Sequence, residues 1–94
     1  MQEDRTVNYY MQRFLHRYEM GELVSQMKVE RTYRALVGDL ISRLTSSIVF
    51  TGGTLRLRLL SAALRQEITM RRESLRAAIN EHLGGEVVKK IVVV

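Results

Sequence analysis

The chain has 94 residues, a net charge of +5, and neither cysteine nor proline. A domain of this length buries only about 60–65% of its unfolded surface and leaves little room for an enclosed active site. Its 46% hydrophobic and 27% charged residues suit a folded domain; the lack of cysteine excludes disulfides, thiolate zinc sites and cysteine nucleophiles.

The N-terminus Met1–Thr6 is polar and no apolar run approaches ~18 residues, so no signal peptide or membrane span is legible. One cytoplasmic domain over residues 1–94 is the expectation. Val7, Tyr10, Met11, Phe14, Leu15 and Tyr18 recur at helical spacing and predict an N-terminal amphipathic helix within residues 1–20, closed by Gly21. A second helical stretch follows from Glu22, with Leu23, Val24, Met27, Tyr33, Leu36, Val37, Leu40, Ile41 and Leu44. Gly38 inside it marks a bend or a close helix contact.

Ser47 to Leu60 holds the clearest local signal, a Gly52-Gly53 pair flanked by β-formers. A two-residue hairpin loop sets Thr51 opposite Thr54, Phe50 opposite Leu55 and Ile48 opposite Leu57. The apolar residues then share one face with Leu59, and Arg56 and Arg58 share the other with Val49 and Ser47. Ser61 is the expected N-cap of the next helix, with Leu64, Ile68, Leu75, Ala78 and Ile79 on one stripe. An unbroken helix would put Arg71 and His82 on that stripe too, so a break near Thr69–Glu73 is expected. Gly84-Gly85 ends the helix pair. Val88–Val94 reads as a last strand whose unalternating apolar residues suggest cover on both faces. The order α-α-β-β-α-α-β predicts an α+β fold with helices packed on one face of a three-stranded mixed sheet.

Charge is uneven. Residues 1–50 carry seven Lys/Arg against six Asp/Glu, and residues 51–94 carry eight against four. Twelve of the fifteen cations are arginine, whose planar fork suits phosphate or carboxylate. Nothing in the chain resembles a catalytic or metal motif. His16 and His82 lack partners at ligand spacing, Gly52-Gly53 joins two strands rather than opening a helix, and Ser61 has no base in sequence range. No enzymatic activity, metal or cofactor is expected. Glu67 beside Arg65, and Glu73 beside Arg71-Arg72, read as surface pairs worth little.

Three basic features remain as candidate binding surfaces. Arg65, Arg71, Arg72 and Arg76 cluster around the helix break, where backbone amides add positive potential. Arg56 and Arg58 share the outer hairpin face, where they also serve solubility and discourage edge pairing. Arg5, Tyr9, Arg13 and His16 lie opposite the apolar stripe of the first helix, a secondary candidate on which a tyrosine could stack a base.

Tyr33-Arg34-Ala35-Leu36-Val37-Gly38, Gly52-Gly53-Thr54-Leu55, Ser61 through Glu67-Ile68, Ile79-Asn80-Glu81-His82-Leu83-Gly84 and Lys90-Ile91-Val92-Val93, taken in this order, resemble the DciA-related family. The resemblance covers residues 22–94. It implies a KH-like fold and a non-enzymatic adaptor that acts with the bacterial replicative helicase, DnaB, with weak binding of single-stranded DNA. Basic residues of the hairpin and the following helix would then meet helicase or DNA. RNA-binding KH domains carry a Gly-x-x-Gly loop between the paired helices, where this chain reads Ile68-Thr69-Met70-Arg71-Arg72, so the backbone clamp on nucleotides is missing. The alternatives are a protein–protein module without nucleic-acid binding and a KH-like RNA-binding protein. Self-association through the terminal valines stays open.

Overall fold

Residues 21–37 form the first helix, α1, of the computed structural model, which describes residues 21–94. The predicted N-terminal helix lies outside the described residues, and with it Arg5, Tyr9, Arg13 and His16. Gly21 does not close a helix. It is itself helical and is absent from the glycines with positive φ, whereas a helix-ending glycine works by entering the left-handed region.

Only some of the apolar residues of α1 face the sheet. Val29 and Tyr33 are fully buried, Thr32 is nearly so, and Gln26 and Val37 are half-buried. Leu23, Val24 and Met27 are instead 52%, 42% and 50% exposed. Residues two apart on a helix point about 200° away from each other, so once Val29 faces inward Met27 must face out. Tyr33 anchors this orientation. Its hydroxyl donates to Thr45 Oγ1 at 2.9 Å, and that hydroxyl donates to the Ile41 carbonyl at 2.7 Å. Burial raises the Tyr33 pKa above the ordinary phenol value, although the Thr45 bond and the Arg34 charge pull it down. The folded state therefore favours the neutral phenol, and the stability linked to it is lost only as pH rises through that raised value.

Gly38 is a full break in the helix, not a close contact. Its φ of 87° and ψ of 174° lie in a region essentially reserved for glycine, and a Cβ added there would meet nothing within 4 Å. Its carbonyl accepts from Ser42 at 3.0 Å and starts α2 (Asp39–Arg43). The Arg34 guanidinium spans the break, donating to the Ser42 carbonyl at 2.9 Å and hydroxyl at 2.7 Å. Gly38→Ala is expected to cost about 1–3 kcal/mol of backbone strain. Gly21→Ala, at a helical and open position, should instead stabilise by up to about 1 kcal/mol. Urea melts of the two variants check this, and equal effects would contradict the assigned backbone conformations.

The hairpin follows its predicted register. Strands β1 (Thr45–Thr51) and β2 (Thr54–Leu59) pair antiparallel with Thr51 opposite Thr54, Phe50 opposite Leu55 and Ile48 opposite Leu57. Gly52 and Gly53 both have positive φ, the condition for a type I′ turn. Ile48, Leu55, Leu57 and Leu59 are buried while Arg56 and Arg58 are exposed. Ser61 caps α3 (Ala62–Met70) by accepting from the Leu64 N–H. The helix pair breaks at Arg71, and α4 (Arg72–Leu83) ends at left-handed Gly84. Ile68 and Ile79 complete the core, with Leu64 and Leu75 packed against it, and Arg71 and His82 stay exposed.

Strand β3 (Lys90–Val93) pairs parallel with β2, giving the sheet order β1-β2-β3. It starts later than predicted. Val88 is buried ahead of it, pinned by Asn80, whose amide donates to the Val88 carbonyl and accepts from its N–H, both at 2.8 Å. Cover on both faces is not seen. Ile91 is buried toward the helices, but Val92, opposite Arg56 on the outer face, is only half-buried. A run of valines satisfies β-propensity on either face and does not require two covering layers. The described residues form an α+β fold, with four helices against a three-stranded mixed sheet.

Candidate nucleic-acid interface

Alternation along three strands builds one polar face. Ser47, Val49 and Thr51 of β1, Thr54, Arg56 and Arg58 of β2, and Lys90 and Val92 of β3 point away from the helices, as the paired registers require. Arg56, Arg58 and Lys90 are exposed and form no ion pair with any described residue. None of the sheet's strands carries Asp or Glu. Val49, Thr51, Thr54 and Arg56 line a shallow depression of about 310 Å³ beside this row. Among the described residues, nothing compensates these cations and none of their side chains bonds to the fold.

The helix-break cluster is a different environment on the opposite side of the sheet. Arg65 donates to the Leu59 carbonyl at 3.0 Å, so it ties α3 to the end of β2. Arg71 pairs with Glu67 at 2.8 Å, and Arg76 pairs with Glu73 at 3.1 Å and approaches Glu86 at 3.9 Å. Arg72 is exposed and pairs with no described residue. The acidic partners differ from those that adjacency suggested. Glu67 meets Arg71 rather than Arg65, and Glu73 meets Arg76 rather than Arg71 or Arg72, because helical neighbours face each other at three- and four-residue spacing and not at one or two. Glu73 also sits in the first turn of α4, where it offsets the positive end of the helix.

The structure therefore separates the six predicted residues. Arg56 and Arg58 lie on the outer sheet face, Arg65, Arg71, Arg72 and Arg76 on the helical side. Lys90 joins the former pair and was missed by sequence reasoning. Its place beside the arginine row depends on the parallel pairing of β3, a long-range contact; only the spacing of Lys90 and Val92 hinted at it. On the helical side Leu36, Val37, Ile41, Ile68, Leu75 and Ala78 line a groove of about 320 Å³, with Glu67, Arg71 and Ser74 at its margin. Among the described residues no group of His, Cys, Asp or Glu is arranged to hold a metal ion, and no helix is long and apolar enough to cross a membrane.

These features place the chain among small α+β domains that present a basic sheet face opposite a helical layer. More narrowly, the chain belongs to the DciA family: residues 6–93 match the family described as "Dna[CI] antecedent, DciA". That family is associated with the bacterial replicative helicase DnaB. No curated protein matches the chain.

Proposed function

We propose that this protein is an adaptor that binds the bacterial replicative helicase in the cytoplasm and holds single-stranded DNA weakly across its outer sheet face. The observation that carries the DNA half is the row Arg56, Arg58 and Lys90 on one face, with no acidic residue on the three strands. Arg56 and Arg58 stand two residues apart on one strand, about 7 Å along it, and both guanidiniums are free of described acidic partners. Exposed Val49 and half-buried Val92 supply apolar surface between the charges for base or sugar contact. Three phosphate contacts are few, which makes the binding weak and salt-sensitive. The expected slope of log affinity against log salt is about −2 for a single strand. Family membership supports the helicase half, and the order α-β-β-α-α-β after α1 supports the KH-like reading.

A pull-down on immobilised cognate helicase, with and without a labelled single strand, tests both halves. Retention of the protein by the helicase in nuclease-treated buffer, together with salt-dependent anisotropy of the single strand, is the expected result. No retention at any salt overturns the adaptor role. Salt-independent binding of the strand overturns the proposed phosphate contacts.

A further inference from the structure

The sheet has two edges, and the fold treats them differently. Along the outer edge of β1, the Gln26 side chain of α1 acts as a short strand. Its amide donates to the Ile48 carbonyl at 2.9 Å, and its oxygen accepts from the Phe50 N–H at 2.6 Å. That edge is closed by a side chain that mimics a peptide group. The other edge is β3. There Lys90 donates to the Gly53 carbonyl, and Val94 donates to Leu57 and accepts from Leu59, so alternate residues of β3 face β2. Ile91 and Val93 consequently turn their N–H and C=O groups away from the sheet. No described residue bonds to them.

Such an edge pairs with any extended chain that reaches it, and its surroundings specify which. On the outer face lie Lys90, with Lys89 just before it and Arg56 and Arg58 one strand away, and no acidic side chain on any strand. On the inner face, half-buried Val93 packs against the core, as do Leu83 of α4 and Val87 ahead of the strand. A strand laid beside β3 would point alternate side chains to these two faces. Those opposite Lys90 and Val92 meet positive charge, and those opposite Ile91 and Val93 meet apolar surface. The same lysines disfavour a second copy of this strand, which would bring its own cations to the edge. A nucleic-acid strand is also disfavoured, because the described aromatic residues are Tyr33, which is buried, and Phe50 on β1 at the far edge, leaving no ring for base stacking at β3.

We infer that the free edge of β3 is a docking site for an extended segment of a partner protein in which acidic and apolar residues alternate. Main-chain bonds to Ile91 and Val93 hold the segment, and Lys90 selects its charge. An acetylated, amidated octapeptide of alternating glutamate and valine is the probe, with alternating lysine and valine, a thymidine oligonucleotide and no additive as the other arms. Amide exchange followed by NMR is the readout. The glutamate peptide is expected to slow exchange at Ile91 and Val93 at least tenfold and leave the Phe50 amide unchanged. Lys90→Glu should weaken peptide binding at least tenfold, and Val93→Pro should abolish it. Proline there removes an N–H that β2 does not use, a substitution edge strands accept; Lys90→Glu serves as the independent test if that proline disturbs folding. Equal protection by the lysine peptide overturns the charge assignment. Protection by the oligonucleotide alone assigns the edge to nucleic acid and overturns the proposal. Protection that rises with protein concentration, with doubled mass by light scattering, assigns it to a second copy. No protection in any arm means that the lysines simply blunt the edge.

Discussion

Reversing the two outer-face charges together, Arg56→Glu with Arg58→Glu, should lower affinity for a single-stranded oligonucleotide by about thirtyfold at low salt. Two exposed contacts at about 1 kcal/mol each give this factor, and the salt slope should flatten by about 1.4 as two phosphate contacts are lost. Folding should be unaffected, because neither guanidinium bonds to a described residue and both side chains point to solvent. The matched pair Arg71→Glu with Arg76→Glu changes net charge by the same amount on the opposite side of the sheet. There Glu67 and Glu73 already neutralise the arginines, so the expected loss is about threefold or less. Fluorescence anisotropy of both variants over a salt series makes the comparison. Equal losses would mean that only overall charge matters, and a larger loss from the helical pair would return the site to the helix break.

The largest stability effect is expected at Leu57. It is wholly buried on the central strand, opposite Ile48 of β1 and Val93 of β3, so it touches both flanking strands and the helical layer at once. Leu57→Ala should cost about 2–5 kcal/mol, the range for deleting a buried leucine side chain. A domain of this size holds about 5–15 kcal/mol and loses roughly 4–8 °C of Tm per kcal/mol, so a fall of more than about 10 °C is expected. Leu60→Ala makes the same chemical change three residues on, where the side chain is 65% exposed. It should stay within about 0.5 kcal/mol. Thermal melts followed by circular dichroism decide it; similar Tm losses in the two variants would reject the assigned sheet register.

Local chemistry made much of this architecture legible. The hairpin is specified twice over, by two glycines that accept positive φ and by an alternation that fails if the register slips by one. The break at Arg71 followed from the cost of burying an arginine, and the end of α4 from the glycine that adopts the left-handed cap. Hydrophobicity alone does not settle which side of a helix faces the core. Leu23, Val24 and Met27 are apolar and exposed, whereas polar Gln26 faces the sheet because its amide completes the β1 edge. Gly21 was read as a stop although nothing in its neighbourhood demanded a left-handed residue. The salt bridges of α3 and α4 were legible in principle, since both obey helical spacing once helices are assumed.

What the amino-acid order determined by itself is whatever acts over a few residues: turns, caps, the helix break, the alternation of Arg56 and Arg58 with buried leucines, and the concentration of positive charge after residue 50. The tertiary structure decided which of those charges remain available and which edge stays open. Both are outcomes of long-range pairing. Parallel docking of β3 brings Lys90 to the arginine row, and the seating of α1 brings Gln26 to the far edge, contacts no local periodicity encodes. Of the cations behind the net charge of +5, Arg71 and Arg76 on the helical side thus meet carboxylates, whereas Arg56, Arg58 and Lys90 along the sheet pair with no described residue.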